Sequence, residues 1–196
     1  MLILPLQNAL LFAIETIFDV YVSIVLFRLI LQLVRADFYN PLAQFAVKAS
    51  NPILIPARKI IPGFAGVDCA AIVIALLLVA AKLTILQLIR GFTVAPTLVA
   101  VSGLFIWTVG DSLNLLLTIL FWATIIQAIF SWLQPGQYNP NIILFSQITN
   151  PLCRPVRKIM PDLGVIDFSP MIVIFFIVLA QRLLENYIVP LGRGLT

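Results

Sequence analysis

Four stretches of this chain are long and apolar enough to cross a lipid bilayer, and nothing else in the sequence restricts the fold as strongly. A spanning helix needs about 20 mostly apolar residues, and residues 10–34, 69–89, 112–133 and 168–189 each meet that requirement. Composition agrees: 62% of the 196 residues are apolar, only 10% are charged and the mean hydropathy is +1.11, whereas a soluble domain is about a quarter charged. The chain reads as an all-α membrane protein with four transmembrane helices. No Lys or Arg precedes Arg28, so the first run lacks the basic leader of a secretory signal and reads as a retained helix.

The chain also repeats itself. Residues 51–62 are NPILIPARKIIP, and 99 positions later residues 150–161 are NPLCRPVRKIMP. The same shift, without a gap, lays Tyr39-Asn40-Pro41 on Tyr138-Asn139-Pro140 and Asp68 on Asp167; 11 of the 30 positions from 39 to 68 are identical, where about two or three would agree by chance. Each half is an apolar helix, a polar loop and a second apolar helix. The first repeat is placed at 1–95, with spans 10–34 and 69–89, and the second at 96–196, with spans 112–133 and 168–189. Two spans per half return the chain to its starting side, so the repeats run parallel and not inverted.

Charge sets the expected orientation. Loop 35–68 holds Arg35, Lys48, Arg58 and Lys59, and loop 135–167 holds Arg154, Arg157 and Lys158, against Arg90 and Arg193 toward the other end. Short loops rich in Lys and Arg stay cytoplasmic, which predicts both motif loops on the cytoplasmic side and both termini facing outward. Residues 96–109 are surplus to one upright span. With Gly103, Gly110 and Asp111 as interruptions, they are read as an interfacial or tilted extension of the third span, the alternative being a fifth span.

Asn-Pro occurs at Asn40, Asn51, Asn139 and Asn150. Asn is a good helix N-cap and Pro suits the first helical position, so each pair reads as a helix start. Each loop then contains two short pieces. In the first loop these are an amphipathic helix from Pro41, with Leu42, Phe45, Ala46 and Ala49 on its apolar side, and a kinked turn or two from Pro52 to Ile61, broken at Pro56 and closed by Pro62. Pro151, Pro155 and Pro161 take the matching places in the second loop. Ile53, Leu54, Ile55, Ile60 and Ile61 flank Arg58 and Lys59, an arrangement suited to the headgroup region, where each basic residue gains about 1 kcal/mol on an anionic leaflet. Arg58, Lys59, Arg154, Arg157 and Lys158 are the candidate lipid- or partner-binding residues. Asn51, Pro52, Pro56, Pro62, Asn150, Pro151, Pro155 and Pro161 form the structural frame, and Asp68 and Asp167 are the expected N-caps of the next span. Two readings remain open: topology and anchoring alone, or a proline-fixed docking surface for lipid or a partner.

The pattern NP, then P.RK.(I)P, then.D and an apolar helix, with FYNP at 38–41 in the first half and IDFSP at 166–170 in the second, resembles the YggT family of bacterial and plastid membrane proteins. The resemblance is to its tandem form and covers nearly the whole chain. It implies a multi-pass inner-membrane or thylakoid protein without established catalytic activity. It further implies links to osmotic stress tolerance, to cell division and nucleoid distribution, and in plastids to cytochrome b6 assembly. Gly63 stands opposite Asp162, so the halves diverge between the last motif proline and the aspartate.

Six ionisable residues fall inside the spans, where charge is expensive: Glu15, Asp19, Arg28, Lys82, Arg182 and Glu185. Glu15 and Asp19 share a face, and Arg182 and Glu185 are i,i+3 neighbours. At about 1.5 Å per residue, Asp19 lies ~24 Å and Lys82 ~20 Å from the motif-loop end, close enough in depth to pair. Arg28, about two turns from that end, is expected to snorkel toward it. These charges read either as structural ion pairs or as a route for ions or protons. Ala70, Ala71, Ala75, Ala80 and Ala81 in the second span favour close helix approach.

The chain has no histidine and only two cysteines, Cys69 and Cys153, and no nucleophile–base or metal-ligand grouping is visible. An enzymatic role is disfavoured, and no cofactor is expected. The pI of about 9.4 reflects membrane anchoring, and no basic stripe with stacking aromatics suggests nucleic acid. Two functions follow. One is a non-enzymatic organiser or assembly and stress factor, whose basic loops bind anionic phospholipid headgroups or a membrane-protein partner. The other is a small channel or transporter for ion or osmolyte balance, which four spans would build as a homo-oligomeric ring.

Overall fold

The computed structural model describes residues 3–64, 66–91, 97–133, 139–159 and 167–195. The helices, in chain order, are α1 (Ile3–Leu33), α2 (Pro41–Ile60), α3 (Cys69–Ile89), α4 (Leu98–Leu133), α5 (Pro140–Ile159) and α6 (Ser169–Leu183), then a π-helical turn (Leu184–Ile188) and α7 (Val189–Leu195). α1, α3, α4 and the continuous run from α6 through α7 are long and apolar enough to cross a membrane. Helices apolar all round are expected where the solvent is lipid. α2 and α5 are instead amphipathic.

In each half the basic helix packs on the end of one span and the start of the next: α2 on α1 and α3, α5 on α4 and α6. The halves join where α4 lies against α1 and α3. Ile30, Leu31, Ala36, Ala43, Ala123, Leu144 and Ile148 form one buried cluster at this junction. Above it, Asn40 Nδ2 donates to Asn141 Oδ1 at 3.0 Å, and the Asp37 amide donates to Gln147 Oε1 at 3.2 Å. α2 and α5 therefore begin beside each other at one end of the bundle, and the two repeats run parallel.

The loops differ from the two short pieces expected. Each holds a single 20-residue helix, with Pro52 and Pro56 inside α2 and Pro151 and Pro155 inside α5. Asn40 and Asn139 do cap, accepting from the Leu42 and Asn141 amides at 2.8 and 2.9 Å. Asn51 and Asn150 sit mid-helix and start nothing. A proline inside a helix removes one ladder hydrogen bond and pushes away the carbonyl four residues earlier. In the turn before Pro52, α1 donates to the carbonyls on either side of the one at Lys48 that Pro52 leaves without its ladder donor: Tyr21 Oη to that of Ala49 at 3.3 Å and Arg28 Nη1 to that of Val47 at 3.5 Å.

The buried face of α2 also departs from expectation. Ala43, Ala46, Ser50, Leu54 and Ala57 point inward, because small side chains let the helix lie close to α1 and α3. Leu42 and Phe45 are exposed and, with Ile24, Phe27, Trp122 and Phe145, line an apolar cleft of about 420 Å³ between α1, α2, α4 and α5.

At 36 residues, α4 is about 54 Å long, well beyond the ~30 Å hydrocarbon core. Gly103, Gly110 and Asp111 lie within this helix and leave it unbroken. Residues 98–109 continue the span and pack on α7, and among the described residues four helices, not five, qualify as spans. Gly103 and Gly110, seven residues apart, face the C-terminal helix. A Cβ on Gly103 would stand 2.6 Å from Leu195 Cβ, one on Gly110 would meet Ile188, and one on Gly192 would stand 2.6 Å from the Trp107 amide nitrogen. The π turn ends two residues before Pro190, whose ring a regular α-helix would drive into the carbonyl of residue 186.

This close approach predicts that Gly192→Ala destabilises the detergent-solubilised protein by about 1–3 kcal/mol through overpacking. Gly194→Ala, which meets nothing within 4 Å, should leave the thermal midpoint unchanged. Equal midpoints for the two variants would contradict the packing of α7 on α4.

Candidate functional site

The repeated Arg and the repeated Asp meet. In the first repeat Arg58 donates through Nε to Asp68 Oδ2 at 3.1 Å, and its Nη2 also pairs with that oxygen. In the second, Arg157 Nε and Nη2 lie 2.8 and 2.7 Å from Asp167 Oδ2. The other carboxylate oxygen is used as well: Asp68 Oδ1 accepts from the Ala71 amide at 3.2 Å, and Asp167 Oδ1 from the Ser169 amide at 2.9 Å. Asp68 is thus the N-cap of α3, whereas Asp167 stands one residue before the N-cap of α6, Phe168, and holds that helix's first amide; each also clasps the basic helix that precedes it. Burial alone would push the Asp68 carboxyl up, but the Arg58 and Ala71 hydrogen bonds and the charges of Arg58 and Arg28 hold it below the usual carboxylate range. Burial works the same way on Asp167, and hydrogen bonds from Ser169 and Arg157 likewise outweigh it. The Asp68 side chain is 4% exposed and that of Asp167 27%, so the first clasp is the better shielded.

Lys59, Arg154 and Lys158 are exposed on the outer faces of α2 and α5. Beside them Ile55, Ile60 and Ile159 are exposed as well, the last two above 80%, so the basic surface is also a greasy one. Pro62 follows the end of α2, while Pro161 lies outside the described residues. Asn51 Oδ1 accepts from Arg28 Nη1 at 2.8 Å, and Asn150 Oδ1 accepts from Arg157 Nη1 at 3.2 Å. Cys153 is fully buried against Val173 and Ile177. Burial pushes its thiol up, which marks a packing residue and not a reactive one.

Arg28 does not snorkel to open water. It is only 7% exposed, and its Nη1 donates to Ser50 Oγ and Asn51 Oδ1, both at 2.8 Å. With Gln32, Phe38, Arg58, Gly63, Gly66, Val67 and Asp68 it lines a polar cavity of about 520 Å³. The position matched by the 99-residue shift is Gln127, whose Oε1 accepts from Thr149 Oγ1 at 2.7 Å; Thr149 in turn matches Ser50.

Deeper in the bundle, Lys82 Nζ lies 2.6 Å from Asp19 Oδ1 and also pairs with Asp111 Oδ2. The Lys82 side chain is 2% exposed, while the two carboxylates are 30% and 24% exposed. α3 is thereby tied to α1 and α4 at once. Asp111, expected only as an interruption of the third span, joins the intramembrane charges through its pair with Lys82. In the second repeat the matching positions are Thr118 and Gln181, and Gln181 Nε2 donates to Thr118 Oγ1 at 3.0 Å: the same cross-helix contact, without charge. Glu15 is exposed, and Arg182 pairs with Glu185 at 3.2 Å on the exposed face of the last span.

Removing one partner from a buried ion pair leaves charge unpaired. Lys82→Met should therefore lower stability by about 3 kcal/mol, the modest end of the buried-pair range because both carboxylates keep some access to polar surroundings. Combining Asp19→Thr, Lys82→Gln and Asp111→Asn should recover most of that loss, measured by denaturation in detergent. The clasps make a separate prediction about pH. Because Asp68 and Asp167 titrate below the ordinary value near 4 when folded, their contribution is complete above that pH and is lost as the pH falls through the folded values. Between about pH 5 and 3 the thermal midpoint should fall further in the native chain than in a D68N/D167N variant, which starts lower at neutral pH.

The sequence profile of the CCB3/YggT family matches this chain twice, over residues 7–89 and 106–188, two windows set apart by the same shift that relates the motif loops. An uncharacterized protein of Pseudomonas aeruginosa is 42% identical over 184 residues, covering 94% of this chain and 90% of its own. An uncharacterized protein from the proC 3′ region of Vibrio alginolyticus is 37% identical, over 94% and 98%. Uncharacterized protein YggT of Escherichia coli K12 is 34% identical, over 87% and 86%. No solved structure matches the chain. With the family profile filling both halves and these relatives covering nearly all of the sequence, the chain belongs to the CCB3/YggT family.

Proposed function

We propose that the chain is a non-enzymatic organiser of the bacterial inner membrane, acting through two basic interfacial helices that bind anionic phospholipid at the cytoplasmic leaflet. The observation that carries this reading is the placement of α2 and α5 at one end of the bundle, each clasped to its own span and each exposing Lys or Arg beside Ile. An amphipathic helix with that surface gains from apolar insertion and from phosphate contact together. The clasps fix the angle at which both cationic faces meet the headgroups. A fixed cationic face of this kind suits a protein that gathers anionic lipid, or a membrane partner, during envelope assembly or osmotic stress.

The cluster of Asp19, Lys82 and Asp111 favours a second reading, a small oligomeric channel or transporter. Lys82 is sealed and held on both carboxylates, so conduction there would require those pairs to open. Liposomes bearing the protein should pass no ion above background under osmotic load; a flux that Lys82→Gln abolished would move the function to this second reading.

The organiser reading predicts enrichment. In nanodiscs of mixed phosphatidylcholine and phosphatidylglycerol, the native chain should retain phosphatidylglycerol preferentially on re-extraction, less so at high salt. Lys59→Glu, Arg154→Glu and Lys158→Glu together should abolish the preference with helicity intact. Unchanged enrichment in that triple variant would defeat the proposal.

A further inference from the structure

The cavity beneath α2 has the chemistry of a phosphate site. Its walls carry two guanidinium groups, Arg28 and Arg58, and one carboxylate, Asp68. Both oxygens of that carboxylate are already engaged, by Arg58 and by the Ala71 amide. The lining therefore keeps one positive charge without a carboxylate of its own.

Arg28 supplies the specific geometry. Among the described residues all of its hydrogen bonds leave from one nitrogen, Nη1, toward Ser50, Asn51 and the Val47 carbonyl. Those three acceptors are neutral, and they hold the group in place. Nε and Nη2, the two nitrogens of its long edge, have no acceptor among the described residues. That edge offers two parallel N–H donors, the pattern that matches two oxygens of one phosphate. Asp68 acts on both guanidinium groups and so balances only one of two positive charges; an anion in the cavity would balance the other.

The surroundings fit such a ligand. A volume of about 520 Å³ is in the range of small-molecule sites. Arg28 is five residues from the end of α1, ~8 Å along the axis, and the cavity opens beside the N-cap of α3. At the matching position of the second repeat stands Gln127, uncharged and accepting from Thr149 Oγ1 at 2.7 Å. We infer that the chain holds one phosphate-bearing ligand in this cavity, clamped by Arg28 and Arg58, and that the ligand is the headgroup of an anionic phospholipid. The lipid source rests on the organiser reading above; the phosphate chemistry of the cavity does not.

The test uses the full chain in a non-ionic detergent, titrated calorimetrically with dihexanoylphosphatidylglycerol and, separately, with sodium phosphate. One short-chain lipid should bind per chain. Arg28→Gln should weaken binding at least tenfold while preserving helicity and elution volume, since Gln already fills the matching place in the second repeat. Arg28→Lys, which keeps the charge but loses the planar edge, should fall between the two. Inorganic phosphate binding as tightly as the lipid, with the same dependence on Arg28, would support the site and assign a soluble phosphate to it. Binding by Arg28→Gln within twofold of the native chain would overturn the inference. If a Lys59→Gln, Arg154→Gln, Lys158→Gln variant lost the lipid while Arg28→Gln kept it, the cavity would be excluded and the organiser reading would stand. The reverse pattern would keep the cavity and remove support from the basic surface.

Discussion

One carboxylate with two duties holds each half of this protein together. Asp68 and Asp167 sit at the mouth of a span, where the first amides of a helix lack partners, and each gives one oxygen to that need and the other to an arginine ten residues earlier. Without the clasp, α2 and α5 would be held on the spans by their packing and by hydrogen bonds to their neutral groups alone. With it, their axes are set by the spans. The rest of the architecture at this end of the bundle, including the polar cavity and the shared start of the two basic helices, is built on those contacts.

The two halves solve the same packing problems with different chemistry. Three contacts recur at matched positions: a side chain from the first span to the middle of the basic helix, a cross-span pair near the bundle centre, and the clasp. The first is Arg28 with Ser50 in one half and Gln127 with Thr149 in the other. The second is Lys82 with Asp19 against Gln181 with Thr118. Only the clasp is ionic in both. A buried ion pair gains little over a neutral pair of good geometry, because desolvation consumes most of the Coulomb attraction. The second repeat makes two of these three contacts between neutral side chains, so the repeat architecture accommodates either chemistry at those positions.

The spans, their number and the parallel repeat were legible in the sequence because lipid imposes a length and an apolar composition that few other constraints imitate. The motif helices were less so. Asn40 and Asn51 carry the same dipeptide, yet only Asn40 caps; Asn51 sits mid-helix with its side chain accepting from Arg28, a partner in another element that leaves no local trace. The glycines of α4 were misread as interruptions for a similar reason, their partner being a helix some 80 residues away in the chain. The Arg–Asp clasps could have been found by asking why both residue types recur in step. The neutral counterparts of Arg28 and Lys82 needed only the same 99-residue shift carried past the loops into the spans.

The seat of α2 on α1 has a mechanical outcome. Tyr21 and Arg28 donate to its Ala49 and Val47 carbonyls and Arg28 also to Ser50 and Asn51, so rolling or lifting this helix would break those contacts. A peripheral amphipathic helix ordinarily floats, adjusting its depth to whatever lipid surrounds it. Here the depth is gauged from α1, and any change in the tilt of that span is carried rigidly to the headgroup layer.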